Sequence, residues 1–169
     1  MVRCAQCGED HDIFSIQPRF RHPDAYAEVP AHERAIRTAT GSDWCRIRAH
    51  EGDIGRFFLR VVLPVRVRGE ARDVCWSVWI EVEESVYRRV QDLWADAAQS
   101  EEPPLPGVMA NALPGYPPTL GLPGRFQLVG PQEAPRFALA PGLDHPLAAE
   151  QRDGVYPERA LEWVAGLLH

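Results

Sequence analysis

The residues Cys4-Ala-Gln-Cys7-Gly8-Glu-Asp-His11 set two thiols three positions apart and follow them with a glycine. That spacing lets two thiolates reach one ion while the glycine allows the chain to turn tightly beneath them, which is half of a tetrahedral zinc site. A structural zinc takes four protein ligands, and no second Cys-x-x-Cys occurs, so the rest must come from His11, Cys45, Cys75 or a distant histidine. If Cys45 folds against the knuckle, then Cys4, Cys7, Cys45 and His11 close a four-ligand set, and structural zinc is the expected cofactor. Two other readings stand beside it: unligated thiols buried as small hydrophobes, and a redox pair, which the glycine and two acids after Cys7 do not favour. A metal with three protein ligands and an open water position would instead be catalytic.

The second chemical stretch is Asp144-His145-Pro146-Leu-Ala-Ala-Glu150-Gln151-Arg152-Asp-Gly154. Proline at a first helical position and glycine just past the end define a two-turn helix with Asp144 and His145 at its start. An acid beside a histidine holds the imidazole in one tautomer and raises its basicity, so His145 with Asp144 or Glu150 could serve a small hydrolase or transferase as general base. The competing reading makes Asp144 or His145 the helix cap and puts Glu150 and Arg152 on a solvated face. Arginines in Arg56-Phe-Phe-Leu-Arg60 could bind an anion, although paired arginines on a sheet are commoner. Leu113-Pro-Gly-Tyr116-Pro-Pro-Thr119 could shape a groove or be a rigid surface loop.

All 18 basic residues are arginine, set against 24 acids for a net charge of −6. Without lysine there is no Walker A loop, kinase strand lysine, pyridoxal Schiff base or Ser-x-x-Lys hydrolase. An acidic chain has no general attraction to phosphate backbones, so no nucleic-acid partner is expected, and an acidic surface suits a basic protein partner. His32-Glu33-Arg-Ala-Ile36 puts isoleucine where a zincin helix needs its second histidine, and no G-x-S-x-G, G-x-G-x-x-G or EF-hand loop occurs. The chain starts without an apolar leader and has no apolar run of about 18 residues, so the expectation is a cytoplasmic protein with no membrane contact.

At 169 residues the chain is expected to be one domain, able to bury roughly 70% of its unfolded surface without disulfides. Residues 1–23 read as an irregular segment carrying the cysteine knuckle. A short helix is expected over 30–41, then strands over 44–49, 56–68 and 74–82, the last two pairing as a hairpin across Gly69–Asp73. Pro64 marks an edge position or a bulge in the first hairpin strand. Trp76 and Trp79 must lie on opposite faces of their strand. Val86, Val90, Leu93 and Ala97 recur at helical spacing. Twelve of the 16 prolines follow residue 102, so 103–124 reads as a long proline-rich loop. Short strands over 125–129 and 136–140 follow, and a closing helix over 157–169 turns Leu161, Val164 and Leu168 inward. Strands adjacent in sequence without helical crossovers predict an α+β domain: a mostly antiparallel sheet, helices packed on one side, and the N-terminal cysteine knuckle.

Together, C-x-x-C-G-x-x-H at 4–11, Ser42-Asp-Trp-Cys45, Phe57-Phe58-Leu-Arg60, Trp76-Ser-Val-Trp79, Leu113-Pro-Gly-Tyr116-Pro and His145-Pro-Leu-Ala-Ala-Glu-Gln151 resemble, in order along nearly the whole chain, a bacterial family catalogued as domain of unknown function 2199. The resemblance implies a single cytoplasmic domain with a cysteine knuckle in which Cys4, Cys7 and Cys45 match the motif cysteines. It implies no activity. The expected function is therefore a non-catalytic interaction or regulatory domain, immunity-like in character, whose zinc pins the N-terminus and whose proline-rich loop meets a protein partner. The alternative is the hydrolase or transferase built on His145.

Overall fold

A computed structural model describes residues 2–3, 10–12, 14–15, 17–48 and 55–167. The expected hairpin is its centre: β5 (Arg56–Arg66) and β6 (Asp73–Val82) pair antiparallel along ten residues, from Phe57 opposite Val82 to Arg66 opposite Asp73. Strict alternation explains their faces. Leu59, Val61, Leu63 and Val65 on β5 and Val74, Trp76, Val78 and Ile80 on β6 point to one interior. The meander continues through β7 (Leu105–Met109), β8 (Pro123–Gln127) and β9 (Arg136–Leu139), each antiparallel to the one before. A sheet of five twisted strands curls until its last strand meets its first, and with an odd number of strands that closing pair must be parallel; Val62 of β5 pairs with Arg136 of β9 in that sense.

The result is a closed five-stranded barrel filled by side chains, and it corrects the expected α+β arrangement of a sheet with helices on one side. The helices are few and short: α1 (Asp24–Glu28), α2 (Arg34–Arg37), α3 (Glu84–Leu93), α4 (Pro146–Asp153) and α5 (Pro157–Leu167). They are distributed around the barrel. Tyr87 and Val90 of α3 are buried in the core, with Tyr87 against Phe57, while Leu147 of α4 and Ala160, Trp163 and Val164 of α5 enter the same core from elsewhere. Trp163 meets Trp76 edge-on, with ring centroids 5.7 Å apart. Two further strands, β3 (Thr38–Thr40) and β4 (Trp44–Ile47), extend the sheet beyond the first half of β5. There Trp79 joins Cys45, Ile47, Phe58, Ala25 and Val29 in a smaller cluster on the outer face, so the two tryptophans do lie on opposite sides of β6.

The proline-rich segment also departs from expectation, because β7 lies inside it. Prolines are tolerated where no ladder bond is lost. Continuing the β6–β7 register, Pro106 falls opposite Glu83, one residue beyond β6, so its missing N–H has no strand to serve. Gly107 lets the strands pack closely, since a Cβ there would lie 2.8 Å from the Ile80 Cδ1 and that side chain would have to shift. The following loop is shaped by two buried polar residues. Asn111 accepts from the Trp79 N–H and donates to the His22 carbonyl and Asp24, while Thr119 bonds the Leu113 N–H and the Asn111 carbonyl. At the N-terminus, β1 (Val2–Arg3) and β2 (Asp10–His11) pair as a two-residue antiparallel ladder, and the cysteine knuckle expected between them lies outside the described residues. The expected helix over 30–41 shrinks to α2, followed at once by β3.

The seam of the barrel carries the fold's most exacting requirement. Past Val62 the strands β5 and β9 diverge, and Pro64 offers no N–H. The Gln151 side chain fills the gap: its amide nitrogen donates to the carbonyls of Pro64 (3.2 Å) and Phe137 (2.9 Å), and its oxygen accepts from the Leu139 N–H (2.8 Å). We expect Gln151→Ala to cost about 2–3 kcal/mol by leaving these backbone groups without partners. Gln151→Glu, which keeps the acceptor and loses the donors, should also destabilise. Urea unfolding of both variants measures this, and wild-type stability in Gln151→Ala would show that the seam needs no such bridge.

Candidate functional site

The motif that sequence reading placed at a helix start does form one. α4 runs from Pro146, and Gly154 ends it with a positive φ of 75°. His145 is the cap: its Nδ1 accepts from the Leu147 N–H at 3.1 Å, so the ring proton sits on Nε2, which is 3.3 Å from the Pro117 carbonyl. Both ring nitrogens are thus in use. Asp144 is exposed, and among the described residues its carboxylate bonds to nothing, His145 included. The structure therefore sets the pair adjacent without assembling the dyad a general base needs.

Glu150 is equally committed. One carboxylate oxygen accepts from the Tyr116 hydroxyl and the other from Arg159 Nε at 3.0 Å. The guanidinium of Arg159 also pairs with Glu162 at 2.8 Å and lies over the rings of Tyr116 (5.3 Å) and Trp163 (5.6 Å). The Tyr116 ring in turn stacks near His145, centroids 6.4 Å apart. Burial first, and then the bond to Glu150, hold the Tyr116 phenol above its ordinary pKa. For Arg159, burial opposes the charge, but the carboxylates of Glu162 and Glu150 outweigh it and keep its pKa raised. This cluster joins the 111–122 loop to α4 and α5. The partners Tyr116 and Arg159 were beyond sequence reading, because 34 residues separate the phenol from Glu150.

The metal-ligand expectation divides. Cys4 and Cys7 lie outside the described residues, and of His11 only the backbone is described. Cys45 sits in β4, 0% exposed, among Ala25, Val29, Phe58 and Trp79. Burial pushes its thiol up to about 11. Cys75 is half-buried on β6, and burial raises its pKa as well. Among the described residues no group of three or more His, Cys, Asp or Glu is placed to hold a metal ion. The two arginines considered as anion ligands are paired: Arg56 makes a bidentate bridge to Glu81, with both bonds 2.8 Å, and Arg60 binds Asp43.

On the side of α4 away from Glu150, the helix borders an open trough of about 1020 Å³ along the outer face of β9. Its floor is made of small residues, Ala138 and Ala140, because outward positions of that strand alternate with the buried Phe137 and Leu139. Pro104, Pro123 and Pro141 form its walls, with Arg66, Arg125, Arg136 and Arg152 around the rim. Sequence reading missed this feature, since no motif marks it.

Residues 3–155 match the family described as an uncharacterised protein conserved in bacteria, DUF2199, and the chain belongs to that family. No curated protein and no solved structure matches it. Among the described residues no helix is long and apolar enough to cross a membrane.

Two outcomes follow from the geometry. A phenol whose folded pKa lies above its unfolded value near 10 contributes its full stabilisation below about pH 10 and loses it as pH rises further. Tyr116→Phe should cost about 1–2 kcal/mol at pH 7 and fall less steeply than wild type above pH 10, as read by urea unfolding between pH 7 and 11. Cys45→Ala should cost about 1 kcal/mol through the small cavity it leaves, yet not alter any metal bound through Cys4 and Cys7. Elemental analysis checks this, and loss of zinc in that variant would return Cys45 to the ligand set.

Proposed function

We propose that this bacterial domain is a non-catalytic interaction module that binds a protein partner in the trough beside α4. One observation carries the reading. Every group that could have served catalysis at α4 is spent on holding the fold, apart from the solvated Asp144, while the large concave surface on the other side of the same helix is left open. A rigid helix with one side locked to its surroundings is a suitable wall for a binding surface, because little ordering remains to be done when a partner arrives. The hydrolase or transferase reading needs a proton acceptor facing a cavity, and neither His145 nor Glu150 offers a free one.

Placing a photo-cross-linking residue at position 138, on the trough floor, tests the reading in cells of a bacterium carrying the protein. The same residue at Asp92, on the exposed side of α3, is the control. A discrete protein adduct from position 138 and none from 92 is the expected result. Equal labelling from both positions, or none from either, would overturn it.

A further inference from the structure

We propose that the trough takes an extended peptide segment that combines apolar residues with carboxylates, a partner chemistry that rests on the interaction reading above and makes it specific. Three features converge on this occupant. The first is shape. The floor follows β9 and Ala140, about 13 Å at strand rise before the chain turns at Pro141 and Gly142, and its outward side chains at 138 and 140 are methyl groups. A chain can lie flat on such a floor. The second is the walls: proline rings and the exposed methyl floor give apolar contact without hydrogen-bond donors, so affinity for apolar side chains comes from area removed from water. Because the trough is open along its length, the backbone of a bound chain stays hydrated on its outer side. A compact ligand would leave much of that length empty.

The third feature is charge. The whole chain carries −6, yet the residues bordering the trough include four arginines and a single acid, Asp73. Arg136 is paired to that acid at 3.2 Å, and Arg152 is paired to its neighbour Asp153 at 2.8 Å. Arg125 bonds only a carbonyl, that of Pro104, and among the described residues the Arg66 side chain has no partner at all. Two guanidiniums without an ion-pair partner among the described residues, Arg66 standing across the β5–β6 ladder from Asp73, therefore border a concave apolar surface on an otherwise acidic protein. Their planar forks suit carboxylates. Local charge thus reverses the preference expected from net charge, from a basic partner to an acidic one.

Selection of a displayed library of random 12-residue peptides on the intact protein tests this. Binders to Ala138→Trp, whose indole would cover the exposed floor, are removed first. The recovered peptides are expected to be enriched in Asp and Glu interspersed with apolar residues. A labelled synthetic copy of the best of them should bind the Arg66→Glu/Arg125→Glu double variant at least tenfold more weakly, with circular dichroism confirming that both variants fold. Enrichment of basic peptides, or binding unaffected by the double variant, would overturn the acidic occupant while leaving the interaction reading intact. Recovery of no peptide that distinguishes wild type from Ala138→Trp, together with no adduct from position 138, would overturn both.

Discussion

One edge of β5 has to be hydrogen-bonded along its whole length, and no single strand does it. β4 pairs with residues 56–59, and then the carbonyl of Asp43 takes the N–H of Arg60. The carbonyl of Pro135 takes the N–H of Val62, the Gln151 amide takes the carbonyl of Pro64, and Val155 exchanges bonds with Arg66 and Arg68. Buried backbone groups left without partners would each cost on the order of 1–3 kcal/mol, so the sequence of hand-overs along this edge is what allows a short meander to close as a barrel. Everything near α4 follows from it. Gln151 can reach the seam only if the helix lies against it, and the helix lies there because Leu147 and Ala148 are buried in the core.

This explains why the two sides of α4 differ. Toward the 111–122 loop, His145 and Glu150 are bonded to Pro117, Tyr116 and Arg159, and that side is fixed. Toward β9, Ala148 and Arg152 border the trough. The Gln151 bridge at the seam and the trough thus lie on the same side of the helix, since Gln151 also borders the trough.

The parts that could be read from residues were those decided locally. The β5–β6 hairpin shows in its alternation, α4 in Pro146 and Gly154, and a cap at Asp144 or His145 in their place just before the proline, His145 being the one that caps. The parts that could not be read depend on distant partners. β7 was hidden because proline is read as a breaker, and only the register shows that Pro106 lies past the end of β6. Closure itself hinges on one glutamine side chain that in sequence looks like any solvated helical residue. Cys45 matched a motif, but the residues that bury it come from β5, β6 and α1. The trough has no signature of its own, since alanine, proline and arginine take their meaning there only from the surface they share.

The family match ends at residue 155, one residue after the glycine that terminates α4. The edge-on contact of Trp163 with Trp76 and the grip of Arg159 on Glu150 and Tyr116 both lie beyond it, in α5. The unit that folds is therefore longer than the signature by which its relatives are recognised. A chain cut to the matched span would leave an indole of the barrel interior facing water and would release the carboxylate that anchors the proline-rich loop.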